Sequence, residues 1–183
     1  ISKILYSIFL LFLFSVCVYG NEQFIFNVTE VEIKENGNKF IGLKKGTATS
    51  NDGIIINANT FEYEKNLNIL NAKGDVEIID TVKDYTIYAD DITYFKNEEK
   101  IFTLGDTEAI IESKYNFKSK NVTLLRNKME LRSSENTNIT DDKLQFYKLS
   151  NFKYQINDEQ LRGENITIVT NYNLPKSDKF YFS

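Results

Sequence analysis

From Phe24 onward the apolar residues alternate with polar ones at period two, and at regular intervals the alternation slips by one residue. Ile54, Ile56 and Ala58 share one parity, whereas Phe61 and Tyr63 take the other; Tyr85, Ile87 and Ala89 are followed in the same way by Ile92 and Tyr94. Period-two runs rich in Val, Ile, Thr, Tyr and Phe are strands with one buried face. A one-residue slip turns that face toward water unless a bulge or sharp corner restores it. The slips fall at Asn59-Thr60, Asp90-Asp91 and Lys120-Asn121, residue types that bond nearby backbone and tolerate unusual dihedrals. The chain is therefore expected to be all-β and built from long strands bent at corners. One Pro and eight Gly argue against a turn-rich sandwich.

The slips recur. "NANTFEY" (57–63) matches "YADDITY" (88–94), with Ala58 and Ala89 31 residues apart; "KSKNVTL" (118–124) and "KLSNFKY" (148–154) follow at steps of 30. Between them lie "GTAT", "GDVEI", "GDTEAI" and "ENTNI", beginning at 46, 74, 105 and 135. The unit is a half-repeat of about fifteen residues, one strand and a corner. Stacked half-repeats make two layers around one apolar interior, with an open, unpaired strand at each end. On this reading Asp90-Asp91 is a corner device. The alternatives, a carboxylate pair or a calcium site, are weakened because the equivalent positions hold Asn-Thr and Lys-Asn.

Composition narrows the chemistry. The 183 residues suit one domain, and a net charge of -4 with interspersed Lys and Glu gives no nucleic-acid footprint. With no His and one Cys, His acid–base chemistry, Ser-His-Asp or Cys-His pairs and the commonest zinc sites are excluded. Glu62, Glu77 and Glu112 do not form the constant carboxylate set a glycosidase on such a scaffold would need. We expect no enzyme activity, no metal and no cofactor.

Residues 1–20 read as a secretory signal peptide: Lys3, an apolar run from Ile4 to Val18, then Val18-Tyr19-Gly20 before polar Asn21-Glu22-Gln23. An uncleaved anchor and a lipoprotein-like site at Cys17 are the alternatives. The domain is assigned to 21–183. Four Asn-x-Thr sequons, at Asn27, Asn121, Asn138 and Asn165, are expected by chance in a chain with 21 Asn. Ser177-Asp178-Lys179-Phe180 repeats the corner pattern of Ala89 to Ile92 just before the last residue, and residue 1 is Ile; the expectation is a fragment that continues past Ser183.

The pattern Ala-Asp-x-Ile-x-Tyr, a short loop, then Leu-x-Ala-x-Gly-x-Val-x-Ile resembles the OstA-like family of lipopolysaccharide transport proteins. It is carried by Ala89, Asp90, Ile92, Tyr94 and Leu104-Gly105, and by Ala58, Phe61, Tyr63, Leu70, Ala72, Gly74, Val76 and Ile78. The resemblance spans about residues 26–182; later copies depart from it with Ser119-Lys120 and Leu149-Ser150. It implies an antiparallel β-jelly roll or β-taco, a periplasmic or outer-membrane location in a Gram-negative bacterium, and end-to-end stacking of homologous jelly-roll bridge proteins. "NYNLPKSDKFYFS" is most similar to the N-terminal periplasmic domain of the family's outer-membrane assembly translocon, whose barrel would follow in cis. A soluble bridge protein, an anchored component and a ligand-free structural β-solenoid of the cell surface stay open as alternatives.

The resemblance implies lipopolysaccharide acyl chains as ligand. Taking a chain of about twelve carbons out of water gains on the order of 10 kcal/mol, at about 0.8 kcal/mol per CH₂, so carriage through water needs an apolar interior. The expected lining is Ile56, Phe61, Tyr63, Ile87, Ile92, Tyr94, Val122, Leu124, Phe152 and Tyr154, residues that a solid core would also need. Phe24, Phe26, Val28 and Val31 form the expected edge for a preceding partner.

Overall fold

The computed structural model describes residues 24–170; the segment read as a signal peptide, Cys17 and the corner expected at 177–180 lie outside the described residues. Fifteen strands form one continuous antiparallel sheet: β1 (Phe24–Lys34), β2 (Lys39–Ser50), β3 (Ile54–Ala58), β4 (Thr60–Glu64), β5 (Ile69–Asp80), β6 (Tyr85–Phe95), β7 (Lys100–Ile111), β8 (Tyr115–Lys120), β9 (Thr123–Leu125), β10 (Glu130–Ser133), β11 (Thr137–Asp141), β12 (Phe146–Leu149), β13 (Asn151–Gln155), β14 (Gln160–Glu164) and β15 (Thr167–Val169). The expected all-β architecture of bent half-repeats is what the chain adopts.

The sheet folds along a spine. On one side β1, β2, β3, β5, β6, β7, β8, β11, β12 and β15 pair in succession; on the other β4 bridges β2 and β5, and β9, β10, β13 and β14 continue from β7. Strands β1, β2, β5, β6 and β7 are long enough to belong to both halves, whereas β3/β4, β8/β9, β10/β11, β12/β13 and β14/β15 break at the spine. The expected slips sit on it. Asn59 separates β3 from β4, and Asn121 follows the end of β8. Strand β6 passes through Asp90 unbroken, but its register against β7 shifts between Ala89 and Asp91, and Ala89 and Ile92 both stay buried.

The corners use a recurring bond. The Asn59 N–H donates to the Gly74 carbonyl at 3.0 Å, and the Asn121 N–H donates to the Gly105 carbonyl at 3.0 Å. Gly74 and Gly105 hold φ of +76° and +84°, a left-handed conformation that costs glycine nothing and an L-residue about 1–2 kcal/mol. The GDVEI and GDTEAI motifs read in the sequence as the second half-repeat; in the fold their glycines are the opposing half of each corner.

Inside, two apolar ladders run the length of the molecule. Register pairing links Phe26, Ala48, Ile56, Ile78, Ile87, Ala109, Phe117, Ile139, Tyr147 and Ile168 across one half. It links Ile33, Phe40, Tyr63, Leu70, Tyr94, Ile101, Leu124, Leu131, Tyr154 and Leu161 across the other. The halves face each other, and aromatic rings meet between them. Phe26 stacks on Phe40 at 4.2 Å, Phe24 meets Tyr63 edge-on at 5.1 Å, and Phe117 lies 5.2 Å from Phe152. Such pairs add about 0.5–1.5 kcal/mol each to their burial.

Candidate functional site: an apolar trough and its lip

The folded sheet encloses a trough. Its floor is the spine; its two lips are the rows of turns at the far ends of the strands, at 51–53, 81–84 and 112–114 on one side and at 96–99, 126–129 and 156–159 on the other. All ten residues expected to line it face the interior and are 0–7 % exposed. They come from both halves, Ile56 and Ile87 from one and Tyr63, Tyr94, Leu124 and Tyr154 from the other, so residues singled out by spacing alone do share one space. They belong to one cluster of packed, buried side chains, and clefts lie on the outer faces and at the lip. One of these, about 570 Å³, opens at the lip between Val82, Asp84, Glu112, Met129 and Asn157.

Each end of the sheet of described residues is a strand with one free edge. Among the described residues strand β1 pairs only with β2, β14 only with β13 and β15 only with β12. The expected edge residues Phe24, Phe26 and Val28 turn their side chains into the trough, with Phe24 buried, so at this edge the backbone and the exposed Ile25, Val31 and Ile33 are what a partner can meet. The ladders end uncovered, with Ile33 67 % and Val31 46 % exposed on β1. Beside and on β15, Ile166 and Val169 are exposed as well.

The carboxylates weighed for chemistry are scattered. Asp90 is exposed on the spine; Glu62 bonds Lys39 at 2.8 Å on one outer face, Glu77 accepts from Asn57 at 3.0 Å on the other, and Glu112 sits in a lip turn. Among the described residues no group of three or more His, Cys, Asp or Glu is placed to hold a metal ion.

Sequence reasoning missed a buried ionic cluster at the lip. Arg126, 2 % exposed, reaches across from the 126–129 turn. Its Nη1 donates to Asp52 at 2.5 Å, to the Tyr94 hydroxyl at 2.8 Å and to Glu99; its Nη2 donates to Asp80 at 3.0 Å and its Nε to the Tyr85 hydroxyl at 2.9 Å. Lys96 adds bonds to Asp52 at 2.9 Å and Glu99 at 2.6 Å. Asp52 and Asp80 belong to one lip, and Lys96, Glu99 and Arg126 to the other. Lys83 of the first lip also donates to the Arg126 carbonyl at 3.0 Å. Burial pushes the Asp52 carboxyl up, but bonds from Lys96, Ser50 and Arg126 outweigh it and hold the group well below the usual carboxylate range. Burial raises the Tyr85 and Tyr94 hydroxyls far above the ordinary tyrosine value, so both stay protonated donors and acceptors. The available signal was compositional. Arg126 is one of three Arg among 22 basic residues, and a guanidinium is the side chain suited to several carboxylates in one buried place.

This architecture, a bent antiparallel sheet closed on an apolar interior, is an LptA-like β-jelly roll. It is similar to the crystal structure of LptH, the LptA-homologous periplasmic component of the lipopolysaccharide transport device of Pseudomonas aeruginosa, with a TM-score of 0.56 at 11 % sequence identity, over 66 % of this chain and 96 % of that one. No family model matches the sequence, and no curated protein does.

Proposed function

We propose that this chain is a periplasmic lipid-conduit domain of lipopolysaccharide transport and outer-membrane assembly. It shields acyl chains between its layers and pairs edge to edge with neighbouring jelly-roll proteins, without catalysing a reaction. The observation that carries this reading is the pair of uninterrupted apolar ladders that run from β1 to the last described strands, in a fold shared with a transport component. An interior that is apolar from edge to edge passes a greasy chain from one subunit to the next without exposing it to water. Because the trough is packed when empty, loading requires the layers to part. Packing of one layer on the other gives way to packing of both on the acyl chain, worth about 0.8 kcal/mol per CH₂ withdrawn from water.

Within the system, the N-terminal domain of the outer-membrane translocon is the form we favour, on the resemblance of the segment 171–183; the soluble bridge and the anchored component are the alternatives. The same tight packing favours a second reading, a ligand-free structural β-solenoid. Site-specific photo-crosslinking in cells separates the two. Crosslinkers at Tyr63 or Tyr94 should capture lipopolysaccharide, whereas those at outward Glu62 and Thr93 should not. Capture from the outward positions alone would favour the structural reading.

A further inference from the structure

The two lips are not held alike along the trough. Near the N-terminal side the Arg126 cluster ties four turn regions together: the 51–53 turn and the end of β5 on one lip, the 96–99 and 126–129 turns on the other. The Asp80 side chain in it is fully buried, and the guanidinium has a partner on every nitrogen. Beyond it, toward β8, β11, β13 and β14, the lips are joined by the ion pair Lys114–Glu159 at 2.7 Å, and both of these side chains are a third to a half exposed. An exposed pair of this kind holds little, about 0–1 kcal/mol. Removing one partner of a buried pair is far more damaging, because it strands the other charge away from water. In the same region the Tyr154 hydroxyl is buried with no hydrogen-bond partner and lies against Tyr115, with ring centroids 5.5 Å apart. Parting the layers here separates the Phe117–Phe152 and Tyr115–Tyr154 rings, breaks one solvent-screened ion pair and frees a hydroxyl to find water; parting them at Arg126 also breaks a buried charged network.

We infer that the Arg126 cluster is a fixed latch between the lips, and that the trough opens as a wedge from its β8–β15 end with this latch as the closed point. The wedge deepens the lipid-conduit reading and rests on it; the latch is a property of the empty protein.

Both parts can be read by pulsed electron spin resonance on a Cys17→Ser background. One label pair, Val82→Cys with Lys128→Cys, sits across the lip beside the latch; the other, Ser113→Cys with Asp158→Cys, sits across the lip beyond it. In the empty protein, Asp52→Asn with Glu99→Gln should lengthen and broaden the first distance. A folded double variant with an unchanged distance overturns the latch. If that variant fails to fold by circular dichroism, Lys96→Met is judged by the same criterion. Added purified lipopolysaccharide should lengthen the second distance and leave the first in place until the latch is weakened. Equal lengthening of both in the otherwise unaltered chain overturns the wedge. Lipopolysaccharide that moves neither pair refutes the conduit reading, and with it the wedge, while the result on the empty protein still stands or falls alone.

Discussion

At the scale of single residues, two tyrosines that face the interior from opposite halves have opposite roles. The Tyr85 hydroxyl accepts from Arg126, while that of Tyr154 is buried without a partner. Losing a hydrogen bond to a buried charge costs about 1.5–3 kcal/mol, whereas removing an unsatisfied hydroxyl is neutral or stabilising. Tyr85→Phe should therefore lower the urea midpoint, and Tyr154→Phe should leave it unchanged or raise it. Equal losses from both would mean that packing, not hydrogen bonding, sets the tyrosine contributions. The same residues fix the alkaline limit. Burial raises Tyr85, Tyr94, Tyr147 and Tyr154 above the ordinary value, so the unfolded chain ionises first, near pH 10. Stability is fully present below that pH and is lost as the pH climbs above it, because only the unfolded state releases protons there. Urea titrations at stepped alkaline pH should show falling midpoints, with tyrosinate absorbance rising together with unfolding. Tyrosinate absorbance that reaches its full amplitude near pH 10 in the still-folded protein would contradict this.

At the scale of the elements, the corners carry the fold. A Cβ on Gly105 would meet nothing within 4 Å, whereas one on Gly74 would lie 2.7 Å from Nδ2 and 3.1 Å from Cβ of Asn59. Both positions impose left-handed backbone, so Gly105→Ala should cost about 1–2 kcal/mol, and Gly74→Ala more, since Asn59 must also give way. Thermal denaturation of the two variants tests the order. The corners were legible in the sequence because a parity slip has one physical meaning: a strand with a buried face must bend where its apolar phase changes. Ile56, Phe61, Ile87 and Ile92 could be placed facing inward on that ground alone. The Arg126 cluster was not legible. Asp52, Asp80, Lys96, Glu99 and Arg126 are drawn from turns up to 74 residues apart, and no period links turn residues the way pleating links strand residues. Only the juxtaposition of the two lips brings them together, and that is decided by the fold of the sheet as a whole.

For the whole molecule, the feature that matters most is that among the described residues each margin of the sheet ends in a strand paired on one side. Ile33, at one margin of the sheet, and Ile166, at the other, are both exposed, and they lie on different surfaces. A contact between them is head-to-tail and does not close on itself. The protein should therefore associate in a concentration-dependent way. A charge at either margin should suppress this, so sedimentation velocity of Ile33→Lys and of Ile166→Lys should each show mostly single particles. An equimolar mixture should recover pairs, because each variant keeps one intact margin. Growth of the same long assemblies by both variants would rule out these edges as the contact.

The half-repeat corner has a further meaning for how such a chain can change. Every thirty residues add two strands of the same cross-section, about 10 Å of extra span at the usual interstrand spacing, without altering the residues that define width. Duplication of one unit would give a longer apolar interior of equal width. Length can thus evolve separately from width: the first by copying segments, the second by exchanging a few inward side chains.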